Sequence, residues 1–225
     1  MNSDPHIPVL SPPAPTKRYS AHRERQRGRI LKAAQELFNA RGIDAVTIAE
    51  IVAATGVRPS TLYEYFSNKD AIVWALVEEY TEQSAAEIRE LAAQVQGPAL
   101  AQVEAILKAL EAELAEHSER VRFQAQFDAM YAHEWSVDLL LALEARVTPD
   151  YPKPLSDLVR MGIADGSLRS DLNPDLTMHS VVNAAIATQR RFASLGNRVE
   201  VEYGQPVREL FHEAMRIILL GLSSK

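Results

Sequence analysis

The spacing of the apolar residues constrains this chain most, because they recur every three or four positions along nearly the whole sequence after residue 20. A helix needs that period to bury one of its faces. Strands would instead show apolar and polar residues alternating at every second position, and the sequence has no such stretch and no internal repeat. The spacing therefore predicts an all-α fold.

Proline, glycine and capping residues divide the helical pattern into segments. Residues 1–20 are rich in proline and are predicted to be a disordered tail, because they cannot bury enough apolar area to offset the entropy of ordering. A first helix is predicted to end at Arg41, just before Gly42. Further helices are predicted near residues 47–55, 59–66, 69–95, 99–116, 119–130, 133–146, 152–165, 174–194 and 205–221.

Composition excludes several classes of protein. No stretch approaches the roughly 20 apolar residues that cross a bilayer, and the first twenty residues carry five prolines and no apolar signal segment. The chain has no cysteine, which excludes disulfides, zinc-thiolate sites and cysteine nucleophiles. We therefore expect a cytoplasmic protein that does not bind a membrane and carries no cofactor.

Charge is distributed unevenly along a chain whose net charge is −6. Residues 17–41 hold eight Lys/Arg against two acidic residues, or +6; residues 1–70 sum to +3 and the remainder to −9. This asymmetry is typical of a basic nucleic-acid-binding part joined to an acidic body. A solvated basic helix face is the alternative explanation.

Residues 47–66 have the layout of a helix-turn-helix. Thr47 and Glu50 have the spacing of a capping box, which marks the start of a helix. Gly56 follows where a tight turn needs positive φ, and glycine adopts that conformation cheaply. The next helix, from Pro59, spans roughly 10 Å and would fit a major groove about 12 Å wide.

The stretch from Arg29 to Asp70 resembles the DNA-binding domain of the tetracycline-repressor family. Its matching elements are RILKAAQELFNARG (29–42), TIAEIVAATGV (47–57) and STLYEYFSNKDAI (60–72), about a fifth of the chain. The resemblance implies a helix-turn-helix DNA-binding domain over 21–68 and a larger helical ligand-binding and dimerisation domain over 69–225. It also implies a ligand-responsive regulator, by default a repressor, that binds a palindromic operator in double-stranded DNA as a homodimer and is released by a small-molecule inducer of unknown identity.

The resemblance also assigns DNA-binding roles to single residues. Thr47 and Lys69 would meet phosphates. The first residues of the second helix would face base edges, and one of two tyrosines would pack inward while the other meets DNA. Glu64 departs from the family pattern, and either accepts a hydrogen bond from cytosine or points at solvent. Pro59 replaces a frequent basic residue. The predicted DNA-binding set is Thr47, Arg58, Pro59, Ser60, Thr61, Tyr63, Glu64, Tyr65 and Lys69.

The rest of the chain is predicted to form the dimer and to bind the inducer. The family pattern places the dimer interface on the last two helices, where small residues and a broad apolar stripe occur: Ala184, Ala187, Arg191, Val207, Leu210, Phe211, Ala214, Ile217 and Ile218. The middle helices would enclose the inducer, lined by Phe123, Phe127, Tyr131, Trp135, Met161, Met178 and His179. Each of these could equally be an ordinary core residue.

Two other functions would leave different patterns in the sequence. A helical-bundle metalloenzyme is the alternative, because Glu209 and His212 have Glu-x-x-His spacing; such sites need a second copy of the motif and two further glutamates, and the sequence has no second copy. A non-specific architectural DNA binder would carry a strongly positive net charge, whereas this chain is acidic. We therefore predict no metal and no enzymatic activity.

Overall fold

The computed structural model describes residues 17–131, 137–147 and 153–224. In these ranges it contains helices and no strand; one isolated bridge joins Leu168 to Ser223. The all-α prediction is confirmed. No helix in the described ranges combines the length and apolar character that crossing a bilayer requires. By its internal contacts the chain divides into two compact units, Met1–Val77 and Glu78–Lys225.

Eleven helices are present in the described residues. Most of their bounds fall within two residues of the predicted ones. They are α1 (Lys17–Arg41), α2 (Ile48–Thr55), α3 (Pro59–Tyr65), α4 (Lys69–Gln94), α5 (Ala99–Glu116), α6 (Ser118–Tyr131), α7 (Val137–Val147), α8 (Lys153–Ala164), α9 (Pro174–Leu195), α10 (Asn197–Tyr203) and α11 (Val207–Leu222).

The first unit holds α1, α2, α3 and the opening turns of α4 around one small apolar core. Each of these helices contributes side chains that are almost fully buried, and α1 packs against α2. Because α3 has only seven residues, burial rather than intrinsic helix propensity must hold it in place. The core side chains are Ile30, Leu31, Ala34, Phe38, Ile43, Val46, Ile51, Leu62, Phe66, Ile72, Val73 and Leu76.

Gly56 ends α2 in the predicted left-handed conformation, with φ 65° and ψ 13°. Its N–H donates to the carbonyl of Val52 and closes the last turn. The chain then turns sharply into α3, whose first residue is Pro59. Proline suits this position, because the first N–H groups of a helix have no partner within it.

The second unit is built around α5, which packs against α6, α8, α9 and α11. Its core runs from Val103 and Leu107 of α5 to Met178 of α9 and Phe211 of α11. Phe192 and Phe211 meet edge to face with their ring centroids 6.4 Å apart. Gly162 lies against Leu168, where an added Cβ would come within 2.4 Å of that side chain.

A buried polar network crosses the second unit. The carboxylate of Glu113, which is 7% exposed, accepts hydrogen bonds from the Ser84 hydroxyl at 2.5 Å and from the Gln189 amide at 3.2 Å. Arg120 lies 3.2 Å from the same carboxylate. The Gln189 amide also donates to the backbone carbonyl of Leu110 at 2.8 Å. Four helices, α4, α5, α6 and α9, are therefore joined through one buried carboxylate.

The structure departs from the sequence-based expectations in three places. The helix α1 begins at Lys17, so the last four residues of the predicted tail 1–20 are helical; residues 1–16 lie outside the described residues. The helix α10 was not predicted, because Gly196 and Gly204 at its ends were interpreted as one loop. The contact-based division follows Val77, inside α4, whereas the sequence placed the domain boundary after residue 68.

We predict opposite effects of alanine at two glycines of the first unit. Gly56→Ala should destabilise the protein by about 1–2 kcal/mol, because a side chain in the left-handed region meets the following carbonyl. Gly28→Ala should stabilise it by about 0.5–1 kcal/mol, because Gly28 lies inside α1 with open space where the Cβ would stand. Urea unfolding followed by circular dichroism measures both free energies; equal effects of the two substitutions would contradict the turn assignment.

Candidate nucleic-acid interface

The helix α3 presents a polar face, while its apolar side chains anchor it. Leu62 is fully buried and Phe66, which follows the helix, is 5% exposed. The orientation of the opposite face of the helix is therefore fixed by these two buried side chains. Arg58 precedes α3, and its side chain makes no capping hydrogen bond. The exposed residues are Arg58, Pro59, Ser60, Tyr63 and Glu64, and Thr61 is half-buried.

The two tyrosines of α3 have different surroundings. Tyr63 is 55% exposed, whereas Tyr65 is half-buried. The guanidinium of Arg23 lies over the Tyr65 ring, 5.6 Å from its centroid, and Arg27 lies 5.7 Å from the ring centroid of Phe66. Of the two tyrosines, Tyr63 is therefore the one whose ring is available to a partner.

Thr47 and Glu50 form the predicted capping box at the start of α2. The Glu50 N–H donates to the Thr47 hydroxyl oxygen at 3.3 Å. In return, one Glu50 carboxylate oxygen accepts from both the N–H and the hydroxyl of Thr47, each at 2.8 Å. Both donors of Thr47 thus already have an acceptor, so its predicted phosphate contact would require them to leave Glu50.

Arg41 extends this cap to the end of α1. Its guanidinium donates to the Glu50 carboxylate at 2.6 Å and to the carbonyl of Ala45 at 2.8 Å. The hydrogen bond from Arg41, followed by the one from the Thr47 N–H, lowers the pKa of Glu50 from 4.5 to about 2. The carboxylate therefore stays ionised at neutral pH and holds the loop between α1 and α2 in place.

Lys69, the predicted phosphate contact, lies on the other side of this loop. Its ammonium group is half-buried and donates to the carbonyls of Ile43 at 3.1 Å and Asp44 at 3.5 Å. An ammonium group has three N–H donors, so one remains for a phosphate. Arg41 and Lys69 thus fix the loop from two sides.

Sequence reasoning assigned no role to Arg41, Arg27 or Arg29. Arg29 reaches from α1 to the carbonyl of Thr55 at the end of α2, at 3.1 Å. The basic run was visible in the sequence, but which acceptors or rings its members meet depends on how α1 packs against the helix-turn-helix. No local signal distinguishes a structural arginine from one that meets a ligand.

In the second unit, three of the predicted inducer-binding residues are core residues of the chain. Phe123, Phe127 and Met178 are at most 1% exposed, and Tyr80 meets Phe123 edge to face at 5.5 Å. Burial raises the pKa of the Tyr80 phenol. His179 is half-buried, and its Nδ1 lies against the carbonyl of Asp175. The structure departs from the prediction at Met161, which is 52% exposed on α8.

Two further residues were predicted to bind the inducer, Tyr131 and Trp135. Trp135 lies outside the described residues, and of Tyr131 only the backbone, at the end of α6, is described. A cleft of about 420 Å³ opens between α4 and α5, and none of the five predicted residues whose side chains are described lines it. Its wall includes Ser84, Ile88 and Leu91 of α4, and Ala109 and Glu113 of α5.

The predicted dimer residues fall into three groups. Ala184, Ala187 and Arg191 are exposed on α9, and Ile217 is 59% exposed on α11. Val207, Leu210, Ala214 and Ile218 are half-buried against the core of their own chain.

Phe211 departs from the prediction, because it is fully buried and packs on Phe192. A side chain already enclosed by its own chain has no surface left for a partner. Leu220, 61% exposed one turn from Ile217, lies on the outer face instead.

The Glu-x-x-His motif of the metalloenzyme alternative does not form a site. The Nδ1 of His212 lies 3.2 Å from the carboxylate of Glu111 on α5, and Glu209 is exposed. Within the described ranges, no three His, Asp or Glu side chains come close enough to share a metal ion.

Comparison with known proteins agrees with this geometry. Residues 30–76, which include α2 and α3, match the family described as bacterial regulatory proteins, tetR family. The chain is 24% identical to the HTH-type transcriptional repressor KstR2 of Rhodococcus jostii (strain RHA1) over 88% of this chain and 92% of the relative. The HTH-type transcriptional regulator UidR of Escherichia coli (strain K12) is 34% identical over 28% of this chain and 33% of its own length.

The fold is also shared with a solved structure. The ketosteroid transcriptional regulator KstR2 of Mycobacterium tuberculosis superposes with a TM-score of 0.65 at 21% identity, over 89% of this chain and 96% of that one. The exposed face of α3, its glycine turn and these matches define a helix-turn-helix transcriptional regulator. Over residues 30–76 the chain is similar to the tetR family of bacterial regulatory proteins.

We predict that Glu50→Gln lowers the thermal unfolding midpoint at pH 7, because the amide loses its charged hydrogen bond with Arg41. The pKa of Glu50 is lowered by folding, so its contribution to stability is present above about pH 4.5 and is lost as the pH falls towards about 2. The midpoints of the variant and the wild type should therefore converge over that range.

Glu64→Gln is the matched control, since the Glu64 carboxylate is exposed and makes no hydrogen bond with the described residues. Its midpoint should follow the wild type at every pH. A constant difference between Glu50→Gln and wild type from pH 7 to pH 3 would contradict the charged role of Glu50.

Proposed function

We propose that this protein is a cytoplasmic repressor that binds a palindromic operator as a homodimer and releases it when a small-molecule inducer binds the second unit. The observation that carries the proposal is the exposed polar face of α3, held by two buried side chains, Leu62 and Phe66. A helix anchored in this way can present its outward side chains to base edges in the major groove.

Homodimerisation follows from the small size of that contact. One seven-residue helix reads only a few bases, and a two-fold dimer places a second copy about one helical turn of DNA away. The outer faces of α9 and α11 support this assembly. Small Ala184 and Ala187 allow close approach of a partner, while Ile217 and Leu220 are large apolar side chains exposed on the single chain.

The second unit is the proposed inducer-binding part. Its core holds the aromatic pair Tyr80 and Phe123, and α4 continues from the first unit into this one. An inducer acts by favouring one of two conformations. Because a relative with 21% identity is named as a ketosteroid regulator, ketosteroids are a reasonable first set of compounds to screen.

The decisive experiment is a mobility shift and footprint on the DNA upstream of the protein's own gene, at two salt concentrations. A protected palindrome bound by a dimer, with unrelated DNA left free, is the expected result. Failure of a ligand-stripped sample to select any sequence from a random pool would overturn the proposal.

Arg58→Ala and Lys69→Ala should affect DNA binding differently. If Arg58 meets a base edge, its loss should cost about 1–3 kcal/mol on the operator and relax the preference at one position. Lys69→Ala should weaken binding to all sequences and reduce the salt slope by about one per lost phosphate contact. Titrations on the operator and on single-base variants over several salt concentrations separate the two effects.

Arg198→Ala is the control for both substitutions, because Arg198 is exposed on α10 in the second unit. Lys69 also supports the loop at Ile43, so the unfolding temperature is measured in parallel. A Lys69→Ala protein with an unchanged salt slope and a reduced unfolding temperature would show that Lys69 is structural only.

Ile217→Glu should produce a folded monomer that binds the operator weakly, because a buried unpaired charge at a dimer interface is costly. Sedimentation velocity measures the change in mass, and circular dichroism checks the fold. Met161→Glu is the matched control, since Met161 is also apolar and about half exposed but lies on α8. A dimeric Ile217→Glu protein would place the interface elsewhere.

A further inference from the structure

The outer face of α3 carries a carboxylate on the side opposite its anchor. Successive residues of a helix lie about 100° apart around its axis. Leu62, which is fully buried, and Glu64 are therefore about 200° apart, and Glu64 lies on the side of α3 that faces away from the core. Ser60 and Tyr63 share this exposed face with Glu64 and are neutral. Glu64 is thus the charged side chain of the face that α3 presents.

The chain itself makes no use of this carboxylate. Glu64 is exposed, and with the residues that the structure describes it forms no hydrogen bond or ion pair. Residues 47–66 contain one other acidic residue, Glu50, which is held by Arg41 and Thr47. Residues 1–70 sum to +3, so Glu64 is a negative charge on a basic unit. Neither packing nor an internal contact explains an acidic residue at this position.

A carboxylate that enters the major groove needs a hydrogen-bond donor there. Phosphates border the groove and repel a negative charge, and a carboxylate that loses water without gaining a donor is costly. Guanine presents two acceptors in this groove, N7 and O6, and thymine presents the acceptor O4. The donors are the N4 amine of cytosine and the N6 amine of adenine. A base pair that places one of these amines against Glu64 is therefore required.

Cytosine suits a carboxylate better than adenine does, because of the atoms beside each amine. The N6 amine of adenine lies between N7 of the same base and O4 of the paired thymine, and both are acceptors. The N4 amine of cytosine has an acceptor on one side, O6 of the paired guanine, and cytosine itself offers no acceptor in the groove. A carboxylate oxygen therefore meets less repulsion at cytosine.

We infer that Glu64 selects a cytosine in each half of the operator by accepting a hydrogen bond from its N4 amine. The inference rests on the proposed function of α3 and adds the base that this residue selects. A two-fold dimer places one such cytosine in each half-site. Where the amine is missing, repulsion between Glu64 and the phosphates is no longer offset, so the same charge weakens binding to other sequences.

The test is the selection of binding sites from a random pool of DNA duplexes by the full-length protein and by Glu64→Gln. The wild type should prefer cytosine at one position of each half-site by roughly 5- to 150-fold, the range for one mismatched base pair. Glutamine binds N6 and N7 of adenine together. Glu64→Gln should therefore accept adenine at that position and keep the wild-type preference at the others.

Glu64→Arg tests the same contact through a gain of preference. Arginine binds O6 and N7 of guanine, so this variant should select guanine where the wild type selects cytosine. A new preference at one position is not produced by partial unfolding, which lowers binding to every sequence. Glu209→Gln is the matched control, because it removes an exposed carboxylate from α11 of the second unit and should select the wild-type site.

A modified base tests the hydrogen bond itself. N4-methylcytosine carries a methyl group in place of the amine hydrogen that faces the major groove. With this base at the selected position, the Kd of the wild type should rise by a factor similar to that of the base change. The same modification at a cytosine outside the footprint should leave the Kd unchanged.

The outcomes separate this inference from the proposed function. Identical base preferences in the wild type, Glu64→Gln and Glu64→Arg would overturn the inference and leave the proposed function standing. Tighter binding of Glu64→Gln to every duplex by one common factor would also overturn it, because the carboxylate would then act only by repelling phosphates. A wild-type protein that selects no sequence would overturn the proposed function and this inference together.

Discussion

The loop between α1 and α2 depends on one carboxylate, and the position of the helix-turn-helix depends on that loop. Glu50 accepts from Thr47 and from Arg41, which joins the start of α2 to the end of α1. Lys69 secures the same loop from the start of α4. Because α3 is too short to be stable alone, the direction of its exposed face is set by these polar contacts together with its buried Leu62.

The sequence predicted the ends of helices well wherever one capping or turn interaction sets the end of the helix. The Thr47–Glu50 box, the left-handed Gly56 and the start of α9 after Asn173 each rest on one short-range interaction. The helix α10 was missed because its seven residues lie between two glycines and are held by contacts with α9 and α11. Contacts between elements distant in sequence leave no such local signal.

The roles of single residues were harder to predict than the elements that carry them. The apolar stripe of α11 contains both Phe211, enclosed by its own chain, and Ile217, exposed on it. Periodicity shows that both lie on an apolar face and does not show which part of that face the chain itself covers. Long cationic side chains raise the same difficulty, since Lys69 reaches backbone carbonyls 26 and 25 residues away in the sequence.

The polar network of the second unit determines which face of α9 is exposed to a partner chain. A buried carboxylate such as Glu113 is tolerated only where donors satisfy it, and Gln189 of α9 is one of those donors. Turning α9 about its axis would move Gln189 away and leave Glu113 and the Leu110 carbonyl each short of a donor. That cost opposes rotation, whereas the apolar contacts of α9 are less directional. The buried glutamine therefore keeps Ala184 and Ala187 on the outer face, where a second chain can approach closely.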